Sequence, residues 1–141
     1  MGKQVMVLQH IRNVLLVEDD LPLAHGIQRA LQRAGLTVHH VANGRLALDW
    51  LVENSVELVI TDIFMDEMDG VEMVPKLKAA HPEIKIIATS GGSRMVNIDF
   101  LPVAKALGAD RILPKPAKIE DLLETIRELD AEARERPVRE N

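Results

Sequence analysis

Five short apolar runs, each followed by a segment with helical periodicity, constrain the fold of this chain more than any other feature. In chain order the runs lie at residues 13–17, 36–41, 58–62, 84–89 and 111–113. Runs that are apolar throughout are typical of strands buried on both faces of a parallel sheet. Right-handed crossovers between such strands favour an α/β fold, a doubly wound five-stranded parallel sheet with helices on both faces.

The segments between the runs carry the start and stop signals of helices. The first places its apolar residues on one helical face: Leu23, Ile27, Ala30, Leu31 and Ala34. Asp20 is predicted to cap this helix and Gly35 to end it. Further helices are predicted at residues 43–54, 71–81, 98–107 and 119–129. The helix at 43–54 is expected to point four side chains inward: Leu46, Ala47, Trp50 and Leu51.

Charge and composition exclude several classes of protein. A net charge of −5 at pH 7 argues against a general nucleic-acid binder, which would present a basic face. The absence of cysteine excludes disulfides, a thiol nucleophile and a thiolate metal site. No apolar run approaches the ~20 residues of a membrane span, and residues 1–10 lack a signal peptide's apolar region. We therefore expect a cytoplasmic protein without direct contact to membrane or nucleic acid.

The 141 residues suffice for one domain with a proper core. Residues 1–12 alternate only loosely and are interpreted as an N-terminal extension, and residues 13–130 as the domain. Residues 131–141 form a charged C-terminal tail with three arginines and three glutamates, expected to be the end of the last helix followed by disorder.

Polar side chains follow four of the five predicted strands. Glu18 and Asp19 follow the first, Asp62 ends the third, Ser90 follows the fourth, and Lys115 lies in the loop after the fifth. Because the carboxyl ends of parallel strands lie on one edge of the sheet, these groups are expected to meet. Crowded carboxylates repel one another unless a cation lies among them, and oxygen ligands without histidine or cysteine favour Mg²⁺. A lysine and a hydroxyl facing that ion would suit a phosphoryl group.

Five fragments, in this order and spacing, resemble the receiver domain of two-component response regulators. They are Val14-Leu15-Leu16-Val17-Glu18-Asp19-Asp20, Asp62 with Met65, Met68, Asp69 and Gly70, Ser90-Gly91, Gly108-Ala109, and Lys115-Pro116. The resemblance covers residues 13–129 and implies the flavodoxin-like strand order 2-1-3-4-5.

The resemblance also implies the roles of the site residues. Asp62 would accept a phosphoryl group from a sensor histidine kinase or a phosphotransfer protein. Asp19 and Asp62 would bind Mg²⁺ directly, the main-chain carbonyl of Phe64 would complete the protein ligands, and Glu18 would act largely through water. The protein would assist its own phosphorylation and dephosphorylation but act on no external substrate.

Ser90, Lys115 and Ile112 bear on how such a protein would switch. The resemblance implies that Ser90 holds a phosphoryl oxygen, with Thr89 as a rival hydroxyl, and that Lys115 pairs with the phosphoryl group. Ile112 falls where an aromatic switch residue is common and is a possible switch position here. We therefore expect a single-domain response regulator, monomeric or weakly dimeric, that signals to an unknown output protein by direct contact.

Two other functions compete with this interpretation. A phosphohydrolase of the haloacid-dehalogenase type would use Asp62 as its nucleophile, but it needs a second aspartate at the position of Phe64. A pseudo-receiver would bind partners without phosphorylation, but the complete set of acids, hydroxyl and lysine argues against it.

Overall fold

Five parallel strands form one sheet in a computed structural model that describes residues 6–63, 70–91 and 105–135. The strands are β1 (Asn13–Val17), β2 (Thr37–Val41), β3 (Leu58–Asp62), β4 (Lys85–Gly91) and β5 (Arg111–Lys115). Their spatial order is β2-β1-β3-β4-β5, and every neighbouring pair is parallel. The predicted sheet and its flavodoxin-like strand order are confirmed.

Helices cover both faces of this sheet. They are α1 (Leu21–Arg33), α2 (Gly44–Trp50), α3 (Gly70–Ala80) and α4 (Ile119–Glu135). Residues 105–107 form one further helical turn at the end of the helix predicted over 98–107, the rest of which lies outside the described residues. No helix in the described part of the chain is long and apolar enough to cross a membrane.

The apolar run of β1 supplies both cores of the protein. Val14 and Leu16 join the core beneath α1 and α4, whereas Leu15 and Val17 join the core beneath α2 and α3. Successive side chains of a strand point to opposite faces, so a strand covered on both sides has to be apolar at every position. The doubly covered sheet therefore explains why this run does not alternate with polar residues.

The ends of α1 confirm the predicted signals. The Asp20 carboxylate accepts a hydrogen bond of 3.1 Å from the Leu23 main-chain N–H and so caps the helix. Gly35 follows the helix with a φ of 104°, a conformation that side chains with a Cβ rarely adopt.

Helix α2 is shorter than predicted. It ends at Trp50, and Leu46 is 46% exposed, so the prediction that Leu46 points inward was wrong. Asn43 caps the helix through a 2.9 Å hydrogen bond from the Leu46 N–H, which fixes where the helix begins. Ala47 and Leu51, four positions apart, then face the core, while Leu46 lies about 100° away from Ala47 around the helix axis.

The ends of β4 and β5 were also predicted too short. Pro114 does not break β5, which runs through Lys115, and β4 includes Ser90 and Gly91. Among the described strands β5 pairs only with β4, so Pro114 needs no main-chain donor on its outer side. Lys115 is therefore held by a strand, opposite Gly91, instead of lying in a loop.

Helix α4 runs past residue 129, the last position of its predicted apolar face, into the tail, as expected. It continues to Glu135 and thus includes the start of the predicted C-terminal tail. Arg111 of β5 bonds Glu132, and its Nε lies 3.9 Å from Glu128, so both acids tie this last stretch of helix to the sheet.

Residues 6–12 lie within the predicted N-terminal extension and form neither helix nor strand. They are nevertheless part of the packed structure, because Met6 and Ile11 are buried in the core beneath α1 and α4. The Met6 N–H donates a 2.9 Å hydrogen bond to the Ala34 carbonyl at the end of α1.

The buried Asp130 of α4 holds the same segment by its main chain. Its carboxylate accepts hydrogen bonds from the N–H groups of Gln9 (3.1 Å), His10 (2.7 Å) and Ile11 (2.8 Å). Burial opposes ionisation of Asp130, but these hydrogen bonds outweigh it and hold the pKa of the carboxyl below its usual value. Asp130 is thus a charged clamp on residues 9–11.

Replacing Asp130 with alanine is expected to lower the unfolding free energy at pH 7 by about 2 kcal/mol, because three N–H groups lose a charged acceptor. The folded-state pKa lies below the unfolded value near 3.9, so the clamp stabilises the protein above that value. The stabilisation is lost as the pH falls through the folded-state pKa. Urea unfolding at pH 7 and in acid should show a difference between variant and wild type that shrinks in acid. The exposed Glu120→Ala is the control, and an Asp130→Ala variant as stable as wild type would contradict the clamp.

Candidate acidic phosphoryl site

Three carboxylates meet at the carboxyl end of the sheet. Glu18 and Asp19 follow β1, and Asp62 ends β3, which pairs with β1 in parallel. One carboxylate oxygen of each residue lies within 4.8 Å of the other two. Glu18 and Asp62 are buried and Asp19 is exposed. The structure therefore brings together the three acids that the strand ends predicted.

The main chain after β1 separates the roles of its three consecutive acids. The Asp20 N–H donates a 3.1 Å hydrogen bond to the Glu18 carboxylate, while the Asp20 side chain caps α1. The Glu18 main chain is fixed as well, because its N–H donates to the Val41 carbonyl at 3.1 Å and its carbonyl accepts from His40 Nε2 at 2.8 Å. Glu18 and Asp19 consequently face the site, and Asp20 serves the helix.

Lys115 reaches this cluster from β5 although β4 separates β5 from β3. Its Nζ lies 2.5 Å from Asp62 Oδ2, and 3.0 and 3.2 Å from the two carboxylate oxygens of Glu18. The lysine side chain is 21% exposed, whereas those of Glu18 and Asp62 are only 4% and 8% exposed. Lys115 therefore forms a largely buried ion pair with both acids. Glu18, Asp19, Asp62 and Lys115 together are called the acidic site below.

The ionisation of the acidic site favours an additional cation. Burial alone would lower the pKa of Lys115, but its hydrogen bonds and charge interactions with Asp62 and Glu18 raise it, so the ammonium stays charged. Burial raises the pKa of Glu18, which hydrogen bonds from the Asp20 N–H and Lys115 offset only in part. Three carboxylates against one ammonium leave a formal charge of −2 when all are ionised.

The donor set fits a hard divalent cation such as Mg²⁺. All three acids offer carboxylate oxygens. Because Asp19 is exposed, a cation bound beside it could keep several water ligands, as Mg²⁺ usually does. Glu18, Asp19 and Asp62 are therefore the residues that could hold the ion. The fourth predicted ligand, the main-chain carbonyl of Phe64, lies outside the described residues.

Thr89 and Ser90, the two residues whose hydroxyls were predicted near the site, are consecutive residues of β4. Thr89 is the register partner of Asp62, and its buried hydroxyl lies 3.5 Å from the Thr61 carbonyl. Ser90 is half-buried and lies opposite Pro114, one residue further along β4. Ile112, the possible switch position, packs half-buried against the core beneath α2 and α3.

Gly70 supports the site in a way that its place in the sequence pattern does not reveal. A Cβ at this position would lie 2.9 Å from the Asp62 carbonyl oxygen and 3.0 Å from Ile63 Cα. The Gly70 N–H also donates a 2.8 Å hydrogen bond to the Ile63 carbonyl. The start of α3 therefore lies directly against the end of β3, which leaves no room for a side chain.

Substituting Gly70 with alanine is expected to lower the unfolding free energy by about 2 kcal/mol, because the main chain beside Asp62 has to move. Gly26 provides a matched control, since nothing lies within 4 Å of a Cβ built there and the residue is inside α1. Gly26→Ala should stabilise the protein by up to about 1 kcal/mol. Chemical denaturation of both variants checks the pair, and equal effects would contradict the close approach at Gly70.

Solved structures of receiver domains share this fold. The CheY-like response regulator receiver domain protein from Methanospirillum hungatei JF-1 superposes with a TM-score of 0.78 at 27% identity, covering 88% of this chain and 97% of that one. The chemotaxis response regulator CheY4 of Vibrio cholerae gives a TM-score of 0.74 at 27% identity, covering 84% and 98%. Fold and acidic site together are those of the receiver class of signalling proteins.

The sequence profile described as "Response regulator receiver domain" matches residues 14–127. This chain therefore belongs to the response regulator receiver domain family.

Two relatives from Brucella abortus (strain 2308) match this chain over very different shares of their own length. The response regulator receiver protein CpdR is 32% identical over 119 residues, which cover 84% of this chain and 97% of CpdR. The sensor kinase CckA is 39% identical over 118 residues, which cover 82% of this chain but only 12% of the kinase. The higher identity thus extends over a small part of the kinase, and the lower one over nearly all of CpdR.

Proposed function

We propose that this protein is a single-domain response regulator in which Asp62 accepts a phosphoryl group and thereby changes protein–protein contacts. The observation that carries the proposal is the contact of Lys115 with Asp62 beside Glu18, on the carboxyl edge of a receiver sheet. The similarity over nearly all of CpdR supports the single-domain form.

Asp62 is suited to be the nucleophile because it is the buried acid that Lys115 contacts most closely. One Asp62 carboxylate oxygen would form the bond to phosphorus while the bond from phosphorus to the donor's imidazole nitrogen breaks. The donor ring carries a proton on its other nitrogen, so the products are an acyl phosphate and a neutral histidine. Mg²⁺, when bound, supplies positive charge beside the transferred group. Glu18 and Asp19 would hold that ion together with Asp62.

Lys115 would change partners during this reaction. Before transfer its ammonium offsets the charges of Asp62 and Glu18. Afterwards the acyl phosphate carries its negative charge on the phosphoryl oxygens, so the ammonium would pair with one of those. The Ser90 hydroxyl would donate a hydrogen bond to another phosphoryl oxygen. Ile112 would be the residue that changes position on switching. These changed contacts would shift the ends of β4 and β5, and through them phosphorylation would alter the surface that partner proteins bind.

The proposed donor is a sensor histidine kinase or a phosphotransfer protein, and the proposed output partner is another protein. The net charge of −5 supports an output that does not contact nucleic acid directly. We propose a cytoplasmic protein, monomeric or weakly dimeric, that assists its own phosphorylation and dephosphorylation but converts no external substrate.

Phosphorylation by a small donor tests the proposal. Incubation with acetyl phosphate and MgCl₂ should add one phosphoryl group per chain by intact-protein mass spectrometry, and EDTA should prevent the addition because the carboxylates then repel the donor. A phosphorylated histidine kinase should act as donor under the same conditions. A protein that both donors leave unmodified in MgCl₂, or that is labelled equally in EDTA, would overturn the proposal.

A further inference from the structure

We propose that a pocket between β2 and α2 is a docking site for a partner protein segment that carries an arginine or lysine among aliphatic residues. The cavity measures about 510 Å³ and opens at the end of β2, outside the acidic site. Its lining residues are His40, Val41, Ala42, Leu46, Asp49, Trp50, Glu53 and Asn54. This group is called the β2–α2 pocket below.

Aromatic and aliphatic side chains give the pocket an apolar wall. The Trp50 indole stacks on His39, with 4.4 Å between the ring centroids and 11° between the ring planes. This contact fixes the orientation of the indole, the ring to which cations bind best. Leu46 is 46% exposed beside it. The wall thus suits the aliphatic stem of a long side chain as well as neighbouring apolar residues.

The charge of the pocket selects the kind of side chain that would enter. Asp49 and Glu53 are exposed carboxylates four residues apart, and no lysine or arginine is among the lining residues. An acidic ligand would be repelled, and an aliphatic one would leave both carboxylates without a partner from the ligand. An arginine or lysine head group would pair with the carboxylates while its stem lies on Trp50 and Leu46.

The floor of the pocket is bonded to the acidic site. His40 lines the pocket, and its Nε2 donates the 2.8 Å hydrogen bond to the Glu18 carbonyl. Val41 also lines it and accepts the 3.1 Å hydrogen bond from the Glu18 N–H. A bound segment would therefore touch residues that position Glu18. Any effect of the segment on the acidic site has to be matched by the reverse effect, because coupling between two sites is reciprocal.

Tryptophan fluorescence reports on this pocket directly, because Trp50 is the single tryptophan of the sequence. The probes are three blocked tripeptides, Leu-Arg-Leu, Leu-Ala-Leu and Leu-Glu-Leu, titrated against the unphosphorylated protein at low salt. The arginine peptide should change the Trp50 fluorescence saturably, with an affinity about 10-fold above that of the alanine peptide, an advantage that added salt reduces. The glutamate peptide should not bind measurably. Equal responses to the three peptides, or no saturable response, would overturn the proposal.

Variants that replace carboxylates with uncharged amides test which acids are responsible. Asp49→Asn combined with Glu53→Gln should remove the preference for the arginine peptide. The control pair Glu83→Gln with Glu120→Gln makes the same change in net charge at exposed positions away from the pocket and should keep the preference. Retention in the first pair, or loss in the second, would contradict the site. Asp62→Asn should bind the arginine peptide like wild type, so the docking site and the phosphoacceptor assignment can fail independently.

Discussion

Replacing Asp62 with asparagine is expected to abolish labelling by acetyl phosphate in the presence of Mg²⁺. The amide has nearly the same shape as the carboxylate but offers neither the charge nor the nucleophilic oxygen that attacks phosphorus. Glu18 remains to pair with Lys115, 3.0 Å from its Nζ, so the variant should stay folded. Intact mass spectrometry of wild type and variant after the same incubation provides the measurement.

Asp121→Asn is the matched control for this change, because Asp121 is an exposed aspartate in the first turn of α4. It should be labelled like wild type. Labelling that persists in Asp62→Asn would show that another group accepts the phosphoryl group. Peptide mapping would then identify the acceptor, with the exposed Asp19 the first alternative to check.

Replacing Lys115 with methionine should have the largest effect on stability, because it leaves Glu18 and Asp62 as neighbouring buried carboxylates without their ammonium partner. Removing one partner of a buried ion pair costs about 3 kcal/mol or more. We expect an unfolding free energy lower by about 3 kcal/mol in EDTA. A divalent ion among the same carboxylates would replace the missing charge. MgCl₂ should therefore stabilise the variant more than it stabilises wild type.

Urea unfolding of both proteins in EDTA and in MgCl₂ gives the four values needed. The control is Lys76→Met on α3, whose ion pair with Glu72 is solvent-exposed and contributes little. Lys76→Met should match wild type within about 0.5 kcal/mol in both buffers. A Lys115→Met variant that is as stable as wild type in EDTA, or that gains no extra stability from MgCl₂, would contradict the role of Lys115 as the resident countercharge.

The sheet was predictable because its strands are covered on both faces. The run from Val14 to Val17 has no alternation, as expected for a strand of a parallel sheet between two layers of helices. The prediction was wrong where a local signal competes with tertiary position. Pro114 normally ends a strand but is tolerated at the outer edge of this sheet. Leu46 was expected to point inward, but Ala47 and Leu51 face the core and Leu46 lies about 100° away from Ala47 around the helix axis.

The residues of the acidic site could be predicted from the sequence, because the carboxyl ends of parallel strands meet at one edge of the sheet. Glu18, Asp19, Asp62 and Lys115 do meet. Their pairing was not predictable, since the distance that the Lys115 side chain spans across β4 depends on the twist and packing of the finished sheet. The hydrogen bond from His40 to the Glu18 carbonyl was also missed, because the sequence around a histidine does not reveal which group it will bond.

The clamp by Asp130 on residues 9–11 also determines when the fold can be completed. Asp130 lies 119 to 121 residues along the chain from residues 9–11, so this contact closes nearly the whole chain into one loop. Closing such a loop costs more chain entropy than any contact between neighbouring elements. During synthesis residues 9–11 leave the ribosome early and have to wait until α4 has emerged. Residues 9–11 therefore cannot dock on Asp130 before α4 has emerged, and a ribosome-bound fragment that ends before Asp130 should leave them more open to a protease than the finished chain.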